Sequence, residues 1–298
     1  MRFKYSIFLC LFISYYCYGY TGNKDGDTVE VTSFYEWLNE AYKYPKKLIN
    51  YTLLEINYGY SLVSINDTKF KSNLSPVFCS EFKYGFIRIN DDIGANNRFY
   101  VASENVFVSS YAAHFKPSDS KLKGITTDGW SFGFSFKNGF GYEFWDDRKL
   151  TLYHTGSLVL SRIDVELESP IPKDEKKLDD FDEKFRFGSS FECGANFEVF
   201  NFMHFDLAYN HQLVFPGSYF WGFAGSSLLE LLFQRGIDYL AMRHLKDYPD
   251  EMPAANFIGK NLISVMFYEL RRKNMHWPLK SDIPLNYDTF KIGFTFIF

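Results

Sequence analysis

Apolar and polar residues alternate with period two over long stretches of this chain. In the last twelve residues Phe290, Ile292, Phe294, Phe296 and Phe298 share one face, and Thr289, Lys291, Gly293 and Thr295 share the other. Successive side chains of a strand point to opposite sides of a sheet, so the pattern predicts a strand with one apolar and one polar face. The same phase recurs in residues 54–62, where Leu54, Ile56, Tyr58, Tyr60 and Leu62 oppose Glu55, Asn57, Gly59 and Ser61. In 78–86, Phe78, Phe82, Tyr84 and Phe86 oppose Cys79, Glu81, Lys83 and Gly85. In 130–144, seven aromatics from Trp130 to Phe144 oppose Ser131, Gly133, Ser135, Lys137, Gly139, Gly141 and Glu143. In 185–199, Phe185, Phe187, Phe191, Cys193 and Phe197 oppose Arg186, Gly188, Ser190, Glu192 and Asn196. In 203–213, Met203, Phe205, Leu207 and Tyr209 oppose His204, Asp206, Asn210 and Gln212. Two weaker stretches, 99–111 and 150–161, bring the expected number of strands to eight.

Asn138-Gly139 has the composition of a two-residue hairpin turn. Such a turn would shift the apolar phase from even to odd positions. The phase stays even through Phe140, Tyr142 and Phe144, so one continuous strand is expected over 130–144. The connections also alternate. Those near 90–98, 145–149 and 200–202 are short, and those near 64–73, 112–129, 163–183 and 214–286 are longer. The last is long enough to hold structure of its own. Its apolar spacing predicts one helix over 226–245 and another over about 255–272, where Leu262, Met266 and Leu270 stack at i, i+4. If the second segment were instead a strand, a further strand would have to exist and the number would be ten. The insert, about 217–280, could plug the lumen, cap the outside or pack along the wall.

Composition changes what the apolar faces are for. The 298 residues include 34 Phe, 22 Tyr and 5 Trp, so 20 % are aromatic, while 23 % are charged. Mean hydropathy is −0.22. A bundle of membrane helices would carry fewer charges and several long apolar runs. A disordered chain would lack the aromatics. Four Cys are too few for a disulfide scaffold. A net charge of −4 gives no basic footprint, so nucleic acid is not an expected partner. Soluble strands usually run to about 5–6 residues, whereas these are longer and suit the roughly 9–11 residues that a tilted strand needs to cross a bilayer.

The N-terminus carries export information. Arg2 and Lys4 precede an uncharged apolar stretch, 5–16, and Cys17 and Gly19 supply small residues at a cleavage site. Residues 1–19 are therefore expected to be a signal peptide. Ser14-Tyr15-Tyr16 is too bulky for a lipobox at Cys17. Residues 20–46 are expected to be an N-terminal periplasmic segment, in which Ser33 and Glu36 would make a capping box for a helix over about 34–44. Residues 47–298 are the expected barrel with its helical insert.

A leader, repeated aromatic-rich dyad strands and a final amphipathic strand ending in Phe298 resemble a Gram-negative outer-membrane β-barrel protein. The resemblance implies an all-β fold, a closed antiparallel transmembrane barrel, with outer-membrane lipid around it. It also implies the barrel-assembly machinery as a partner, reading the last strand through its terminal aromatic.

Candidate chemistry is sparse. Tyr153-His154-Thr-Gly-Ser157 resembles the His-x-Ser of outer-membrane lipid hydrolases, but Ser157 falls on the opposite face from His154. An interfacial His beside a Gly-Ser bend is the better reading. His204 and Asp206 share the inner face and could form a base with its orienter, yet no nucleophile accompanies them, and a buried polar network is favoured. Glu55, Glu81, Lys83, Lys137, Glu143, Arg186, Glu192, Glu198 and Lys291 point inward by parity. Opposite charges in a narrow lumen must pair, because an isolated buried charge costs several kcal/mol, so a salt-bridged core is expected ahead of a selectivity lining. Cys79 faces inward and Cys193 outward, so two free thiols are expected. No CxxC, HExxH, P-loop or GxSxG motif is present, and no cofactor, metal or catalytic set is expected. The functional expectation is structural, surface-interacting or small-ligand-binding, with a channel or a lipid-modifying enzyme as alternatives.

Overall fold

A computed structural model describes residues 49–91, 93, 97–113, 125–144, 148–166, 172–217, 220–278 and 281–298. The expected leader, the 20–46 segment and its capping-box helix lie outside the described residues. Eight antiparallel strands close into a barrel: β1 (Ile49–Ile65), β2 (Val77–Asn90), β3 (Arg98–Ala112), β4 (Thr126–Glu143), β5 (Lys149–Glu166), β6 (Phe185–Phe200), β7 (Met203–Val214) and β8 (Leu285–Ile297). Each strand pairs with its sequence neighbours, and β8 pairs with β1 from Leu53↔Ile297 to Ile65↔Leu285. Closure satisfies every edge, which is what a barrel achieves over an open sheet. The count of eight holds, and residues 252–273 are helical, which removes the ten-strand alternative.

Several strands run past the stretches where alternation was clear. β4 continues through Asn138-Gly139 in register with Tyr153 and His154 of β5, so no turn occurs there. β5 is likewise unbroken through Gly156-Ser157. The bend expected beside His154 is absent, because the ladder on both sides outweighs the local turn propensity of Gly-Ser. A short helix not anticipated from sequence, α1 (Pro172–Leu178), sits in the β5–β6 connection. Two further helices among the described residues, α2 (Phe220–His244) and α3 (Met252–Lys273), form a hairpin between β7 and β8.

Parity sorts the walls as alternation predicted. Phe82, Tyr84 and Phe86 on β2, and Phe132, Phe134 and Phe136 on β4, are exposed on the outer face. Glu81, Lys83, Ser131, Ser135 and Lys137 between them are buried in the lumen. Small residues make room there for large ones. A side chain at Gly141 would run into the Phe99 ring, and one at Gly194 into the ring of Tyr153, so these glycines are the floor on which the lumen aromatics rest.

One region breaks the outer-face pattern. Tyr100, Phe140, His154, Phe191 and Leu213 point outward yet are buried. The α2–α3 hairpin packs over this region: α3 lies on β4, β5 and β7, with Tyr268 against the Phe191 ring, α2 packs on α3, and Tyr100 lies against the Phe140 ring. Of the three positions open to the insert, the structure selects the one along the wall. The hairpin starts at the rim that carries the long connections. Its tip is pinned at the opposite rim, where Arg98 Nε donates to the Pro249 carbonyl at 3.1 Å and Tyr142 Oη to that of Asp250 at 3.0 Å.

Candidate functional site

The lumen holds a closed ionic cluster. Lys83 Nζ, on β2, lies 2.8 Å from Glu55 (β1), 3.2 Å from Glu81 (β2) and 3.0 Å from Glu192 (β6). Lys291 (β8) meets Glu81 at 2.8 Å and Glu192 at 3.0 Å. Lys137 (β4) meets Glu55 at 2.7 Å and sits over the Tyr153 ring, 4.1 Å from its centroid. Three lysines face three glutamates, so the cluster is neutral. Further donors fill the carboxylates: Asn57 Nδ2 donates to Glu55 at 2.8 Å and to Glu81 at 3.1 Å, and Ser109 Oγ to Glu81 at 3.1 Å. Burying ions is tolerable only when each is paired and its remaining hydrogen-bonding capacity is met.

Apolar layers bound the cluster at both ends. Towards the long-connection rim, Val63, Val77, Cys79, Tyr111, Ile163, Phe181, Val214, Leu285 and Tyr287 form one core. Towards the other rim, Leu53, Ile87, Phe99 and Val101 form a second. A cavity of about 30 Å³ lies beside that second layer, lined among others by His204, Lys149, Asn196 and Thr151. It is large enough for water and far too small for a solute.

The remaining inner-face residues fall in different places. Asp206 accepts from Asn196 Nδ2 at 2.9 Å and from the Thr295 hydroxyl. His204 shares the inner face but lines the cavity, and no hydrogen bond joins it to Asp206 among the described residues. Glu143 stands at the end of β4 opposite Lys149, and Arg186 near the start of β6; both are half-buried and outside the cluster. Cys79 and Cys193 are free thiols.

A second polar constellation was not legible from sequence. It lies on the outer wall, beneath the hairpin. Ser226, Glu230, Gln234 and Asp238 repeat every four residues along α2, and Asn256, Lys260 and Ser264 do so along α3, with Arg271 further on. The two stripes join. Lys260 pairs with Asp238 at 3.0 Å, Asn256 Nδ2 donates to Asp238 at 3.0 Å, and Arg271 meets Glu230 at 2.5 Å and Ser226 at 3.0 Å. The wall contributes Asn138, which accepts from Lys260, and His154, whose Nδ1 is 2.9 Å from Asn261 Oδ1. Asp288 accepts from Tyr268 Oη at 2.7 Å and is 2.6 Å from His211 Nδ1. His154 is thus a seam residue and not a free interfacial one.

Within this seam, Ser264 Oγ is 3.5 Å from His154 Nε2, and Asn261 engages the other ring nitrogen. The residue types are those of a nucleophile, base and orienter. The geometry is not. Ser264 is fully buried, and its hydroxyl lies 2.8 Å from Glu230 while accepting from Gln234 Nε2 at 2.7 Å. No substrate carbonyl can reach it.

At the long-connection rim the loops are tied by two aspartates. A hydrogen bond from Lys177 holds the Asp67 carboxyl below the usual Asp range. Asp174 accepts from Ser72 Oγ at 2.7 Å and from the backbone N–H groups of Ser72 and Lys71 at 3.0 and 3.1 Å, and these, the Ser72 hydroxyl foremost, lower its pKa.

No protein-family model matches the chain, and no curated protein matches it in sequence. Among solved structures it is similar to Neisserial surface protein A, at 10 % identity over 83 % of this chain and 97 % of that one, with a TM-score of 0.37. It is also similar to Ail, the attachment invasion locus protein of Yersinia pestis, at 10 % identity over 84 % and 99 % of the two chains, with a TM-score of 0.29. A second structure of Ail, in complex with the heparin analogue sucrose octasulfate, matches at 11 % identity and the same score.

Proposed function

We propose that this chain is an integral outer-membrane β-barrel with a structural or surface-interaction role, and that it is not a pore. The observation that carries this reading is the pairing of an apolar outer wall with an occluded lumen. Exposed Tyr, Phe, Trp, Leu and Val side chains ring the barrel far beyond the few hundred Å² of contiguous apolar surface that a soluble monomer tolerates. Hydrocarbon is the solvent such a wall fits. Inside, the neutral Lys83–Lys137–Lys291 and Glu55–Glu81–Glu192 cluster and its two apolar caps weigh against an ion path. The buried hydroxyl of Ser264 weighs against a lipid-modifying enzyme.

Export through the leader and recognition of β8 by the barrel-assembly machinery belong to the same reading. It is tested by washing outer membranes with urea and by heating samples before electrophoresis. Retention in the membrane and a heat-dependent shift in mobility are expected; recovery in the soluble fraction overturns the placement. Purified, refolded protein should give no conductance steps in a planar bilayer, and steady steps would reinstate a channel.

A further inference from the structure

The α2–α3 hairpin is built inside out relative to a helix in water. A water-facing helix turns its apolar stripe to the core and its charges to solvent. Here the buried positions of α3 include Asn256, Lys260, Ser264 and Arg271, and the outward ones are Ala255, Ile258, Leu262, Val265 and Met266. On α2 the exposed residues from 225 to 242 are glycine, leucine, phenylalanine and methionine, with no charge among them. Exposed charges return only at the ends, at Arg243 and Glu251 near the tip and at Lys273 near the opposite rim.

We propose that this hairpin is immersed in the bilayer, with lipid acyl chains covering its outer face along the barrel wall. The proposal rests on the outer-membrane reading above. Three observations favour lipid over another occupant. The strands it packs on also turn exposed apolar side chains outward, Phe134 and Phe136 on β4 and Leu158 on β5 among them, so hairpin and wall present the same chemistry. Its length fits: the uncharged exposed stretch of α2 spans roughly 25 Å at about 1.5 Å per residue, close to the apolar belt of about 25 Å on such barrels. Most polar groups of its inward stripe are paired, against each other and against Asn138, His154 and Asp288 of the wall, which is the arrangement hydrocarbon favours. Neither helix is apolar enough overall to be recognised as a membrane span. The reason is the inward polar stripe, which the barrel wall accommodates and lipid alone would not.

The test is collisional accessibility of spin labels in the full chain refolded into phosphatidylcholine vesicles, with the native cysteines replaced. Labels enter at Leu231→Cys and Leu262→Cys on the hairpin, at Phe134→Cys on the wall and at Lys246→Cys at the tip. Oxygen is expected to relax the labels at 231, 262 and 134 strongly and a water-soluble nickel chelate only weakly, with the reverse at 246. Nickel access at 231 and 262, with 134 still oxygen-accessible, overturns the proposal while leaving the barrel in the membrane. Protection of 231 and 262 from both reagents also overturns it, since protein would then cover the face. Nickel access at 134 as well would mean that the outer-membrane reading itself is wrong.

Discussion

Lys83 meets three carboxylates within 3.2 Å, whereas Lys137 meets one and leans on an aromatic ring. Removing one partner of a buried ion set leaves the others uncompensated, at a cost of about 3–5 kcal/mol. Lys83→Met is therefore expected to lower the urea midpoint of the refolded barrel by more than Lys137→Met, for which the Tyr153 ring is no carboxylate to be stranded. A different carboxylate reports on pH. The pKa of Asp174 is lowered by its three donors, so its ionised form is favoured in the fold. The stability it contributes is fully present above the ordinary Asp value of about 3.9 and is lost as pH falls through the depressed folded value. Protection of the Ser72 and Lys71 amides from hydrogen exchange should accordingly be flat from neutral pH down to about that ordinary value of 3.9, fall as pH drops from there through the depressed folded value, and level off below it. In Asp174→Asn the protection should be low throughout and show no such step.

At the scale of elements, the hairpin and the strands obey one rule with opposite assignments of faces. On β4 and β8 the polar side looks into the lumen; on α2 and α3 it looks into the seam. Leu262→Lys places a charge on the outer face of α3. If that face meets hydrocarbon, the cost is about 2.5–3.5 kcal/mol, the range for a lysine at the centre of an inserted helix. On a water-facing helix the same change falls within about 0.5 kcal/mol. Urea midpoints of the refolded variant in vesicles separate the two. Lys260→Leu should also destabilise, for another reason: Asp238 and Asn138 lose the ammonium that joins them.

For the whole molecule, the barrel ladder does not depend on the insert. β7 and β8 pair directly from Met203↔Phe296 to Val214↔Leu285, so a short turn could join them. A chain with residues 219–283 replaced by a short Gly/Ser turn is expected to fold to a heat-modifiable barrel. It should be less stable in lipid, because Asn138, His154, His211 and Asp288 are then uncovered on the outer wall. Replacing those four with leucine should restore stability, and electrophoretic mobility with and without heating reads both steps. Much of this architecture was legible in sequence. The dyad phase assigned inner and outer faces on the clearly alternating strands, including Lys137 beside the misleading Asn138-Gly139, though not on β3, and two weaker stretches, in keeping with the alternation of connection lengths, brought the number to eight. Parity also put Cys79 and Cys193 on opposite sides. Those properties are local: they follow from side-chain direction along one strand and from apolar residues collecting on one face. What joins distant strands was not legible. Asn138, His154, His211 and Asp288 read as scattered breaks in four separate apolar faces, and only the registers of β4, β5, β7 and β8 gather them on one side of the barrel. The helices were expected, but not their position, because an amphipathic helix can present its polar stripe to water or to polar partners and its own sequence does not distinguish them. Tertiary structure decided that, since the wall partners of α2 and α3 stand on other elements, Asn138 and His154 about a hundred residues before α3 and Asp288 on the strand after it.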